Sequence, residues 1–118
     1  MKSLNLETLF QSICRKNPPE KNVTAFLKHP NRQQIINFLC QKLHEYAGGK
    51  ERDRDFEWGI IHAEEILGNL KTEASIESII GLMNLAKRDL LALLYTSTIN
   101  ALQNMGQSAL ENVYKMYK

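Results

Sequence analysis

Two stretches of this chain, 35 residues apart, are punctuated alike: Leu67-Gly68-Asn69-Leu70 leads into an apolar segment around Ile76, and Leu102-Gln103-Asn104-Met105-Gly106 leads into one around Leu110. Superposing Leu67 on Leu102 pairs Asn69 with Asn104 and Leu70 with Met105. With a one-residue gap in the turn it also pairs Ile76 with Leu110 and Glu77 with Glu111. A fainter copy places Leu27 on Leu67 at a spacing of 40, because Leu27 to Ile36 repeats the step from Leu67 to Ile76. Gly48-Gly49 and the charged connector Lys50 to Arg54 absorb the extra residues. A period of this size, with a helix–turn–helix in each copy, points to stacked helical hairpins, in which each unit buries its apolar face against the next. Such stacks act by presenting a surface rather than by housing a reaction.

The elements follow from apolar spacing and stop signals. Ser3 is placed to cap a first helix carrying Leu6, Leu9, Phe10 and Ile13, which Asn17-Pro18-Pro19 ends because proline lacks the donor. A short helix from Val23 to Lys28 is broken by His29-Pro30-Asn31, and Asn31 caps a third helix with Ile35, Phe38, Leu39, Leu43 and Tyr46. Gly48-Gly49 closes it. Asp53 or Asp55 caps a fourth helix burying Phe56, Ile60, Ala63, Leu67 and Leu70, and Thr72 a fifth with Ile76, Ile79, Ile80 and Met83. Lys87-Arg88 suits the end of the fifth through the helix dipole. Asp89 is expected to cap a sixth, with Leu90, Leu94, Ala101 and Met105, that Gly106 ends. Ser108 opens a last helix with Leu110, Val113, Tyr114 and Tyr117. No stretch alternates with period two, so the chain reads as all-α.

Composition restricts function more than it suggests one. A net charge of +2, from 15 basic and 13 acidic side chains, supplies no strong field for nucleic acid or membrane. No apolar run approaches a membrane span, and the first seven residues do not read as a signal peptide. Cys14 and Cys40 sit among apolar neighbours and read as buried, reduced thiols of a cytoplasmic protein, although sequence leaves a disulfide between them open.

The segment Ala101-Leu102-Gln103-Asn104-Met105-Gly106-Gln107-Ser108-Ala109-Leu110 resembles the hairpin turn of HEAT-like and phycobilin-lyase-type repeats. Ile66 to Leu70, followed by Ala74-Ser75-Ile76, is similar but lacks the second glycine. The likeness covers roughly Phe56 to Lys118; the mid-helix proline and Asp-Arg pair of HEAT units are missing. It implies a right-handed α-α superhelix of about three helical hairpins plus a terminal helix. Residues 1–118 would form a single domain whose second helices line a concave face.

On the fourth helix, the side away from Phe56, Ala63 and Leu67 carries Trp58, His62, Glu65 and Asn69. A shift of 35 gives Leu93, Ser97, Asn100 and Asn104 on the sixth, and a shift back of 40 reaches Asn22 and His29. This column of amides, one carboxylate, histidines and a tryptophan, with no lysine or arginine, suits a protein or peptide held by amide hydrogen bonds with Trp58 as anchor. Trp58 has a second reading, as packing between repeats, and the amides as solvated surface.

Catalytic sets are not evident. His62 and Glu65, three apart, have the spacing of a metal or acid–base pair, but the matching contributions from other helices are missing. Cys40 and His44 are helix neighbours, and Gly48-Gly49 lacks the lysine of a phosphate loop. The expectation is a non-enzymatic adaptor with no cofactor and no metal. The alternative is a nucleic-acid binder using Lys50, Arg52, Arg54, Lys87 and Arg88 at the hairpin ends; a third, from the phycobilin-lyase resemblance alone, is a chromophore-handling factor. Glu111, Asn112, Lys115 and Lys118 give the last helix a polar outer side, which favours a monomer over a dimer through that end.

Overall fold

Asparagine and aspartate set where three of the helices begin. In the computed structural model, which describes residues 5–49, 53–71, 73–89, 91–106 and 111, six α-helices account for most of the chain and no strand is present among those residues. They are α1 (Leu6–Ser12), α2 (Glu20–Leu27), α3 (Arg32–Ala47), α4 (Arg54–Leu70), α5 (Ile76–Arg88) and α6 (Ala92–Met105), with one 3-10 turn, Glu73–Ser75, before α5. The side chain of Asn31 accepts from Gln34 N at 3.0 Å, and that of Asp53 from Phe56 N at 2.7 Å. Each satisfies an amide that the first helical turn leaves without a backbone partner. Asn5 does the same for α1 at Glu7 and Thr8, while Ser3 lies outside the described residues. α2 starts directly after Pro19, whose φ of −58° already matches a helix entry.

One expected cap differs. Asp89 does not open α6: it closes α5, its amide bonded to Leu85 O at 2.9 Å and its carboxylate taking the Arg88 guanidinium. The next amide contact, Leu91 N to Ala86 O at 2.8 Å, prolongs the α5 turn, so α6 starts only at Ala92 with Leu91 before it. Thr72 and Leu90 lie outside the described residues, as do Ser108 to Leu110 and residues 112–118 of the expected last helix. Gly49 (φ 78°) follows α3 and Gly106 (φ 92°) closes α6, both in backbone conformations that a β-carbon disfavours. Lys71 closes α4 in the left-handed region without that freedom.

The apolar stripes read from sequence form one core. Leu9, Phe10, Ile13, Ile35, Leu39, Leu43, Tyr46, Ile60, Ala63, Leu67, Ile76, Ile79, Ile80, Met83, Leu94 and Ala101 are buried, while Phe38, Phe56, Leu70 and Met105 are partly buried against them. Full burial of each large aliphatic side chain contributes about 1.5–3 kcal/mol, so this cluster holds the fold. Helices of one parity pack on each other: α2 on α4, α4 on α6, α3 on α5, with α3–α4 and α5–α6 joining the two sets. α4 and α6 share the most extensive interface. Ser97 Oγ donates to Ile61 O at 3.4 Å, and further along Gly68 lies against the Ala101 backbone. Neighbours therefore advance together along both helices, and α4 and α6 run in the same direction. A β-carbon at Gly68 would come within 3.1 Å of Ala101 O, so glycine sets how closely the two approach.

Polar contacts tie the edges. Arg32, in the first turn of α3, donates to the Leu70 carbonyl at the end of α4, where the last carbonyls lack a donor within their own helix and the dipole favours a cation. Lys42 is buried on α3, lying 5.3 Å from the centroids of both Phe10 and Phe38, with its ammonium on Glu7 of α1 at 2.5 Å and near Glu45 at 3.5 Å. Its stem fills apolar space while its charge keeps partners at the rim.

Candidate functional site

Between α4 and α6 runs a groove of about 580 Å³, within the size range of ligand clefts. α4 contributes Trp58, Ile61 and Glu65; α6 contributes Leu93, Thr96, Ser97, Asn100, Ala101, Gln103 and Asn104. The parallel course of the two helices produces this: residues one or two turns apart on each helix face the same channel. Its floor is apolar through Ile61 and Ala101, and Leu93 is 54% exposed at its edge. Its walls carry three amides, two hydroxyls and the single carboxylate of Glu65, with no lysine or arginine.

The groove gathers six of the ten column residues, namely Trp58, Glu65, Leu93, Ser97, Asn100 and Asn104. The other four lie elsewhere. His62 turns toward the α1–α2 connection, its Nε2 2.8 Å from the Arg15 carbonyl oxygen. It stacks on Trp58 with ring centroids 6.2 Å apart and planes 20° from parallel, so it braces the tryptophan instead of facing the groove. Of the His62–Glu65 spacing noted in the sequence, only Glu65 therefore lines the groove. His29 accepts from Asn31 N at 3.0 Å in a local turn. Asn22 is partly buried on α2 and Asn69 is exposed near the end of α4, neither lining the groove.

Four lining residues were missed in the sequence: Ile61, Thr96, Ala101 and Gln103. Ile61 and Thr96 are themselves 35 apart, so the repeat shift contained that pair. Ala101 and Gln103 carried no such signal, because Ala101 counted as core and the shift of 35 pairs Gln103 with Gly68, which has no side chain.

A second cavity, about 300 Å³, lies where α1, α3 and the start of α4 meet, lined by Glu7, Phe10, Gln11, Cys14, Lys42, Glu45, Asp53, Asp55 and Phe56. Burial, followed by the nearby carboxylates of Asp53 and Asp55, pushes the Cys14 thiol up to about 11. Cys14 thus remains a thiol at neutral pH, with Sγ 3.3 Å from the Phe10 carbonyl oxygen, and lacks the thiolate needed for nucleophilic attack. Cys40 is raised by burial too, opposed by a hydrogen bond with Ser78, whose Oγ also lies 3.3 Å from His44 Nε2. Both cysteines are free and partly buried, less enclosed than their apolar neighbours suggest.

Of the five basic residues at the hairpin ends, two have an acidic neighbour on the same stretch of chain. Arg54 pairs with Glu57 at 3.8 Å and Arg88 with Asp89 at 3.0 Å; Lys87 is exposed, and Lys50 and Arg52 lie outside the described residues. Among the described residues, no three His, Cys, Asp or Glu side chains converge as a metal site, and no helix is long and apolar enough to cross a membrane. No family model, curated protein or solved structure matches the chain.

Proposed function

We propose that this chain is a non-catalytic interaction module that takes a segment of another protein into the α4–α6 groove. The observation that carries this reading is the meeting of Trp58, Glu65, Ser97, Asn100 and Asn104 in one channel, from two helices 35 residues apart. A partly apolar channel edged by amides matches protein segments, which offer apolar side chains and peptide groups together. On this reading the alternating contacts of the helices are a short HEAT-like α-α superhelix, with α2, α4 and α6 as the second helices. The parallel course of α4 and α6, with Ile61 meeting Ser97 36 residues on, is the register such a repeat requires. His62 enters the reading as the support of Trp58.

The test is recovery from a lysate of the native cell, in nuclease-treated and untreated arms, using the wild type, Leu93→Lys and Asn100→Ala. Both positions are exposed, so both variants keep the fold. The expected result is a discrete protein that survives nuclease and is lost with either variant. Recovery that nuclease abolishes, and that the variants leave unchanged, would move the function to nucleic acid and to Arg54 and Lys87.

A further inference from the structure

The groove has a charge and a spacing, and together they specify an occupant more narrowly than "protein". Resting on the reading of the α4–α6 groove as a peptide site, we propose that it holds an extended segment bearing one large apolar and one basic side chain three residues apart. Trp58 and Glu65 are seven residues apart on α4, about 10.5 Å along the helix axis. Three residues of extended chain in the polyproline II conformation span about 9.3 Å and complete one turn, so side chains three apart point the same way. The apolar side chain therefore meets Trp58 and Leu93 while the basic one reaches the Glu65 carboxylate.

The opposite wall fits the same backbone. Asn100 and Asn104 are one helical turn apart, about 6 Å. A primary amide offers both a donor and an acceptor, the complement of a peptide unit. A polyproline II segment makes no hydrogen bonds within its own backbone, so its peptide groups are available to these asparagines. A helical occupant would already satisfy its own backbone and leave these amides without that role. Charge selects the basic side chain: Glu65 is the one ionisable side chain on the groove walls, and no lysine or arginine there neutralises it. The same carboxylate repels a phosphate backbone.

A displayed library of random twelve-residue peptides tests this, selected in parallel on the wild type, Glu65→Lys, Trp58→Ala and Leu93→Lys, with each variant's helicity verified first. Wild-type selection should enrich an apolar residue followed three positions later by lysine or arginine. Glu65→Lys should weaken those peptides roughly tenfold and enrich acidic residues at the basic position, since like charges now meet. Peptides that need Trp58 and Leu93 but show no basic preference, and bind Glu65→Lys equally, would overturn the inference while leaving the groove as the site. Enriched peptides indifferent to Trp58→Ala and to Leu93→Lys, or no enrichment, would overturn both.

Discussion

Glu64→Gln is expected to match the wild type near pH 4 and to become progressively the more stable of the two as pH rises toward 7. Glu64 is 0% exposed in the middle of α4, and neither carboxylate oxygen has a hydrogen-bond partner. Burial raises its pKa well above 4.5, so the folded protein holds it as the neutral acid. The sign follows from proton counting. Above pH 4.5 the unfolded chain loses this proton while the folded chain keeps it, so rising pH favours unfolding by up to ~1.4 kcal/mol per unit. That loss continues until pH passes the raised folded-state value; below 4.5 both states are protonated and the contribution is intact. Glutamine keeps the shape and a buried polar group but cannot ionise, so it removes only the titration. Urea unfolding of both proteins from pH 4 to 8 checks this, read as the difference between them. A difference that does not change with pH would mean that Glu64 ionises in the folded state with a partner.

Gly59→Ala should destabilise the protein by up to about 2 kcal/mol, although alanine is the better helix former by about 1 kcal/mol. A β-carbon there would lie 2.4 Å from Cys14 Sγ and 2.9 Å from Phe10 Cζ, and Phe10 is 1% exposed. Overpacking of this kind costs about 1–3 kcal/mol, which outweighs the helix gain. Removing the obstructing sulfur should recover part of the loss, so Gly59→Ala combined with Cys14→Ala is expected to be more stable than the sum of the single changes. Gly81 provides the contrast: nothing lies within 4 Å of a β-carbon placed there. Thermal unfolding of the four proteins measures the coupling, and strictly additive effects would contradict close contact between α1 and α4.

What could be read from sequence, and what could not, divides along physical lines. Asn31 and Asp53 were legible as caps because a short polar side chain directly before an apolar-periodic run has one role available. Asp89 looked the same but was claimed by the preceding helix, whose last amides reach across it; backbone bonding beyond the cap is invisible in sequence. The groove was partly legible because a shift of 35 carries Trp58 to Leu93, Glu65 to Asn100 and Ile61 to Thr96, all of which line it. His62 satisfied the same arithmetic, yet a carbonyl on the α1–α2 connection draws it away. Contacts with a segment 47 residues earlier are tertiary facts that helical spacing does not contain. Glu64 was missed for a related reason: beside Glu65, an adjacent pair of glutamates in mid-helix reads as solvated surface. Its burial comes from the other helices packed on α4, which the spacing within α4 does not contain.

The central claim is that a protein segment occupies the α4–α6 groove, and site-specific photo-crosslinking in the native cell tests it most directly. A photoreactive residue replaces Leu93 at the groove edge in one version and Gln41, exposed on α3, in another. The account predicts a discrete protein adduct from position 93 that is absent from position 41 and lost when Asn100 is also changed to alanine. Adducts of equal yield from both positions, or only nucleic acid joined at position 93, would contradict it.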